Sequence, residues 1–174
     1  MLRRRRSRRS ADTSRQARSS APSGASVSSV VVVADDLGAA HHEAARAAAW
    51  SALRRIVAEA LILQDAAEER LIELRDERDL GAVAPPCGDL IGRFVALREA
   101  LPSCGDAAMD GHTATLRTIL DHHVLMLDSA LALLAAEWRS ERLGEQLDRI
   151  DGLGAPARRL EIVRAEIIAA APSG

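Results

Sequence analysis

Residues 53–74 read LRRIVAEALILQDAAEERLIEL, and this stretch decides the fold class. Its apolar side chains recur in steps of three and four residues, which is the periodicity of one face of an α-helix. No proline lies between residues 37 and 80, and Gly38 is the single glycine there. We therefore predict one helix over residues 37–80, about 60 Å long at about 1.5 Å per residue. The apolar positions are Leu53, Ile56, Val57, Ala60, Leu63, Ala67, Leu71 and Leu74.

Residues that disfavour helix bound this segment on both sides. Before it, the β-branched run 30–33 predicts either a strand stub or an apolar lead-in to the helix. After it, Gly81, Pro85 and Pro86 are expected to end the helix, because proline lacks the amide hydrogen that a helix needs. Asp89 then suits the N-cap of a short second helix over residues 90–101.

Two more helices follow in the C-terminal half. Asp110 or Thr113 is expected to cap the third helix, which the apolar pattern allows to extend as far as Ile150. The glycines of residues 151–154 end it, and Pro156 suits the first turn of a last helix. The chain contains one Phe, two Trp and no Tyr, which favours helices over strands because strands recruit aromatic residues.

The third helix has an apolar face too broad for one neighbour, so it is expected to contact several helices. We predict an all-α fold: a long antiparallel, coiled-coil-like hairpin of the first and third helices, completed to a small bundle by the two shorter helices. The broad face is also a candidate surface for a second copy or a partner helix. Its helix-packing or partner residues are Leu120, Leu127, Leu131, Leu134 and Trp138.

The charge is divided unevenly along the chain. Residues 1–34 contain eight arginines and one acid, a charge of +7, whereas residues 35–174 contain fifteen arginines and 24 acids, a charge of −9. Because the first segment also has many serines and almost no apolar residues, it cannot bury enough surface to offset its ordering entropy. We predict a disordered basic tail over residues 1–34 and one helical domain over residues 35–174.

The tail has several possible roles. A cluster of arginines suits phosphate binding or an import signal, although without interleaved aromatic residues any nucleic-acid binding would be non-specific. An Arg- and Ser-rich organelle transit peptide and a bacterial export signal are further alternatives, as is a segment without a specific role. Ser7 and Ser10 follow consecutive arginines and are candidate phosphorylation sites. The polyanion-binding or import residues are Arg3, Arg4, Arg5, Arg6, Arg8 and Arg9.

The sequence contains no recognisable catalytic or metal-binding pattern. Phosphate-binding glycine loops and paired-cysteine zinc spacings are absent. The two cysteines, Cys87 and Cys104, flank the predicted second helix and are expected to be reduced thiols, which favours the cytoplasm or nucleus while leaving organelle import open. His123, on the apolar face of the third helix, is expected to be a core-edge histidine rather than a ligand. We expect no enzyme, no metal and no cofactor.

The third helix resembles a membrane span in length between residues 119 and 136. Asp121, His122, His123 and Asp128 interrupt that run, so we predict no transmembrane segment. The function that fits best is a non-enzymatic helical interaction or scaffold protein that self-associates or binds partner helices. The alternatives are a nucleic-acid-associated protein that uses the arginine tail and, by analogy of shape, an assembly or secretion chaperone.

Overall fold

The computed structural model describes residues 28–76, 79–136 and 140–171, with side chains from residue 38 onward. All regular structure in these residues is helical, which confirms the all-α prediction. The helices are α1 (Ser28–Asp76), α2 (Leu80–Glu99), α3 (Ala107–Ala136), α4 (Glu141–Asp148) and α5 (Ala155–Ala170).

The buried side chains of α2 and α3 follow a heptad pattern. In both helices the steps between successive core positions alternate between four and three residues, which is the spacing of coiled-coil seams. The helices therefore form a bundle with coiled-coil-like packing. The seam of α2 consists of Val83, Cys87, Leu90, Phe94 and Leu97, and that of α3 of Met109, Thr113, Leu116, Leu120, His123, Leu127, Ala130 and Leu134.

Contacts between α1 and α3 show that these two helices run parallel. The Nε atom of Arg46 lies 2.7 Å from Oδ2 of Asp106. Farther along both helices, Nε2 of His123 lies 3.1 Å from Oε1 of Gln64. Because the residue numbers rise together on the two helices, the predicted antiparallel hairpin of the first and third helices is wrong.

The second helix explains this difference. The prediction gave it twelve residues, too few to cross the domain, whereas α2 has 20 residues and spans about 30 Å. It runs antiparallel to both neighbours. Arg93 faces Glu59 of α1 while Val83 lines a groove with Glu73, and Arg98 faces Asp121 of α3 while Phe94 contacts His123. The chain therefore reverses twice between α1 and α3, which leaves those two helices pointing the same way.

The two internal prolines do not end a helix as predicted. Pro85 and Pro86 lie inside α2, which begins five residues earlier, where Asp79 accepts a hydrogen bond from the amide of Gly81 at 2.9 Å. The buried seam continues through the prolines from Val83 to Cys87, and burial of an apolar face contributes more to a helix in a protein than propensity does. Asp79 is therefore the N-cap, and Asp89 is an exposed interior residue.

The third helix begins and ends earlier than predicted. Asp106 precedes its first turn and accepts hydrogen bonds from the amides of Ala108 and Met109 at 3.0 and 3.3 Å, so Asp106 takes the capping role expected of Asp110 or Thr113. The helix stops at Ala136, and α4 is a separate helix preceded by Ser140 in an extended conformation, with φ −167° and ψ 126°.

The last helix completes an up–down–up–down bundle. Gly152 and Gly154 adopt positive φ, and Pro156 lies in the first turn of α5, as predicted. α5 runs antiparallel to α3, because Glu166 lies near His112 whereas the carbonyl of Leu153, just before α5, accepts a hydrogen bond from Nε2 of His122. α2 and α5 each contact both α1 and α3, and α4 packs against α3.

The two central apolar helices also have the length of membrane spans. By length and mean hydropathy, α2 and α3 each contain a window apolar enough to cross a membrane, a property that core helices of soluble bundles share. The absence of a transmembrane segment stays a prediction.

Candidate interaction surface

The first 21 residues of α1, residues 28–48, form an N-terminal arm that extends beyond the bundle. From residue 38 to residue 48 every side chain is exposed, and burial begins only at Ala49 and Trp50. Trp50 is 1% exposed, which marks the point where α1 enters the core. At about 1.5 Å per residue the arm is roughly 30 Å long.

The base of the N-terminal arm is tied to the start of α3. Arg46 contacts Asp106, which also caps α3 and is 2.7 Å away. The backbone amide of Met109 lowers the pKa of Asp106; burial opposes this change, and the hydrogen bond from Arg46 adds to it. One carboxylate therefore contacts both helices at the base of the arm, while the direction of the arm is set by the continuous helix α1.

The tryptophan at the base of the N-terminal arm packs against a histidine of α3. The rings of Trp50 and His112 meet edge to face, with their centroids 6.1 Å apart. Nδ1 of His112 in turn lies 3.9 Å from Oε2 of Glu166 on α5. Among the described residues, Nε1 of Trp50 has no hydrogen-bond partner although it is buried.

A polar pair lies in the centre of the core. His123 is fully buried, and its Nε2 atom lies 3.1 Å from Oε1 of Gln64, which is also buried. Phe94 of α2 contacts the edge of the same imidazole, with the ring centroids 5.2 Å apart. Burial lowers the pKa of His123 from 6.5 to about 4, against a raising effect of the Ile119 carbonyl. The histidine is therefore a core residue that is neutral near neutral pH.

The outer face of α1 has an acidic ridge, which we define as Asp65, Glu69 and Glu73. All three side chains are exposed, and Glu73 also pairs with Arg70. Like charges four residues apart weaken an isolated helix slightly, so the ridge is maintained by the packing of the opposite face of α1 rather than by local propensity.

A groove with a volume of about 520 Å³ lies between α3 and the start of α5. Its walls are mostly apolar. The polar groups in it are engaged within the chain: Thr115 donates to the Gly111 carbonyl, His122 contacts the Leu153 carbonyl and Arg159 pairs with Glu166. A small-molecule site needs a few convergent free polar groups, and this groove does not present them.

Two groups of site residues were predicted from the sequence: the apolar residues of the third helix and the arginines and serines of the tail. Leu120, Leu127 and Leu134 are buried, and Leu131 is partly buried against the core, so these leucines pack the chain's own helices. The broad face of α3 is covered by the other helices of the chain, most extensively by α2 and then by α5, α1 and α4. Trp138 and the tail residues, Arg3, Arg4, Arg5, Arg6, Ser7, Arg8, Arg9 and Ser10, lie outside the described residues.

The two cysteines are free thiols, and no metal cluster accompanies them. Cys87 is buried in the seam of α2, and burial raises the pKa of its thiol. Sγ of Cys104 lies 3.3 Å from Sδ of Met109. Within residues 28–76, 79–136 and 140–171, no group of three or more His, Cys, Asp or Glu side chains is placed to hold a metal ion.

The sequence prediction missed the N-terminal arm, although a signal for it was present. The apolar stripe of the first helix starts at Leu53, while the preceding segment is rich in alanine and has no such stripe. A helix without an apolar stripe has no face to bury, so this loss of periodicity marks where α1 leaves the bundle.

Comparison with models of known protein families, with curated proteins and with solved structures finds no significant match to this chain.

Proposed function

We propose that this chain is a non-enzymatic helical interaction protein that associates with a second copy or with a partner helix through its N-terminal arm. The observation that carries the proposal is the exposure of every side chain from residue 38 to residue 48 in a helix that is continuous with the bundle core. This helix surface is long, is rich in alanine and continues into the part of α1 that packs in the bundle.

Helix energetics support this assignment. Helices in proteins take most of their stability from a packed face. From residue 38 to residue 48 every side chain of the arm is exposed, so the single chain gives this stretch little packed face; Arg46 contacts Asp106 there. Pairing with another helix supplies that face, and small side chains such as Ala44 and Ala48 allow two helix axes to approach closely.

Sedimentation equilibrium on the full chain tests the proposal. We expect a concentration-dependent dimer that Ala44→Gln, Ala45→Gln and Ala48→Gln together weaken at least tenfold, because the bulkier side chains separate the helices. A matched control replaces three exposed alanines of the bundle, Ala58, Ala96 and Ala132, by Gln and should leave association unchanged. Affinity capture with the same variants tests for a partner helix. The proposal is overturned if the chain is a monomer and the arm variants capture the same proteins as the parent chain.

A second candidate function is non-specific binding of nucleic acid by the arginine tail. The N-terminal arm supports it, because it places the start of the tail roughly 30 Å from the acidic bundle, where the chain's own acids compete least for the arginines. We expect binding to RNA or DNA that weakens steeply with salt, since each phosphate contact releases a counterion. Binding that persists after removal of residues 1–27 contradicts this candidate.

A further inference from the structure

We propose that the N-terminal arms of two copies of this chain pair antiparallel, so that the basic segment before Ser28 in each copy lies beside the acidic outer face of its partner's α1. The inference rests on the proposed function, since it specifies the partner and the orientation of the same arm. Three features support it: the division of charge, the reach of the N-terminal segment and the position of the acidic ridge.

The division of charge decides the orientation. In a parallel pair of arms, two segments of charge +7 would lie side by side at one end and two bodies of charge −9 at the other. In an antiparallel pair, each +7 segment lies next to a −9 body. Because electrostatic complementarity suppresses the wrong arrangement and fixes register, the antiparallel pair is favoured.

The length of the N-terminal segment disfavours the same contact within one chain. The distance along α1 from Ser28 to Asp65 is about 56 Å at 1.5 Å per residue. The 19 residues that join Arg9 to Ser28 reach at most about 65 Å when fully extended. For Arg9 to contact Asp65 of its own helix, the intervening chain would be almost straight and would lose most of its conformational entropy.

The same segment reaches the partner's acidic ridge easily. When two arms overlap over residues 28–48, Ser28 of one copy lies level with residue 48 of the other. The remaining distance along the partner's α1 to Asp65 is about 26 Å, less than half of the reach. The exposed carboxylates of Asp65 and Glu69 then face arginines that retain most of their freedom.

Neutralising the acidic ridge tests the contact in the full chain. We expect Asp65→Asn, Glu69→Gln and Glu73→Gln together to weaken dimerisation about tenfold at low salt, because three surface ion pairs each contribute a few-fold. A control with the same change in net charge, Asp128→Asn, Glu141→Gln and Glu161→Gln, alters exposed acids on other helices and should change dimerisation less than threefold. Equal weakening by both variants, or no weakening by either, would overturn the proposal.

A crosslinking experiment tests the orientation directly. A photoactivatable phenylalanine analogue replaces Ser10, and unlabelled chain is mixed with chain labelled with ¹⁵N before illumination. We expect linked peptides of mixed isotope that join the tail to residues 62–76. Links within one isotope only, links between two tails, or a dimer without links all overturn the antiparallel arrangement.

The two proposals fail in different ways. A full chain that stays monomeric and binds no helix through its arm contradicts the proposed function. A dimer that the alanine substitutions in the arm abolish, but that responds to neither salt nor the acidic-ridge variant, contradicts only the antiparallel pairing.

Discussion

At the scale of single residues, the pair of Gln64 and His123 is the main specificity feature of the core. Both side chains are buried, and Nε2 of His123 lies 3.1 Å from Oε1 of Gln64 in a mostly apolar seam, while Nδ1 of His123 has no hydrogen-bond partner among the described residues. A shift of α1 along α3 by one heptad would bury both groups without a partner, and each unsatisfied buried group costs about 1–3 kcal/mol. The pair therefore selects one register for two parallel helices.

Protonation of His123 should make stability depend on pH. The pKa is about 4 in the folded chain and 6.5 in the unfolded chain, so between these values the unfolded chain binds more protons. The stability is complete above pH 6.5 and falls as the pH is lowered to 4, by about 3 kcal/mol. Urea unfolding at pH 7.5 and at pH 4.5 measures this loss.

The contribution of His123 is separated by substitution. We expect the double variant Gln64→Leu and His123→Leu to lose most of that pH dependence, because it has no imidazole to protonate. The two leucines also leave no buried polar group without a partner. The single change Gln64→Leu should cost about 1–3 kcal/mol at pH 7.5, since it leaves the buried imidazole nitrogen unsatisfied. An identical pH slope in the parent and double variants would assign the dependence to other groups.

At the scale of elements, α2 determines the topology. Its 20 residues cross the bundle, so α1 and α3 become parallel, and its seam continues past two prolines. The prolines remove amide donors from α2, while burial of Val83, Cys87 and Leu90 keeps the helix intact. This helix is therefore stabilised by tertiary packing against α1 and α3 rather than by its own sequence preference.

Replacement of the prolines should stabilise the chain. In Pro85→Ala and Pro86→Ala, the restored amides complete the hydrogen bonds of α2 and the strain of an interior proline is relieved. We expect a gain of about 1–3 kcal/mol in the free energy of unfolding. Thermal and urea unfolding measure it; a loss of stability would show that the prolines support α2 where they lie.

The cap of α3 offers an element-scale test at the base of the arm. Asp106→Ala should lower the free energy of unfolding by about 1 kcal/mol, because the amides of Ala108 and Met109 lose their acceptor. Asp106→Asn retains an acceptor and should lose only the ion pair with Arg46, which at the surface contributes less than about 1 kcal/mol. Equal losses in both variants would contradict a capping role.

At the scale of the whole molecule, the bundle and the arm are separable in stability. The core begins at Trp50, and the described side chains before Ala49 are exposed. The four long helices share one buried cluster that α1 enters only from that point. The bundle therefore supplies the folding free energy, and the exposed side chains of residues 38–48 add little to it.

Truncation tests this separation. We expect a chain that starts at Ala49 to remain helical and to unfold in urea within about 1 kcal/mol of a monomeric sample of the full chain, because the removed side chains of residues 38–48 are exposed and a surface pair such as Arg46 with Asp106 contributes little. Circular dichroism during urea unfolding provides the measurement. An unfolded product would place part of the core in the arm.

The sequence by itself determined the helical class, the heptad stripes of the core, the glycines and the proline that bound α5, and the unequal charge of the two ends. These features are local, since a 3.6-residue period or a cap can be recognised without knowledge of neighbours. The tertiary structure decided three others: the passage of α2 through Pro85 and Pro86, the parallel direction of α1 and α3, and the exposure of the N-terminal arm. Each of these depends on which face finds a packing partner, and burial against distant residues outweighs local propensity in that choice.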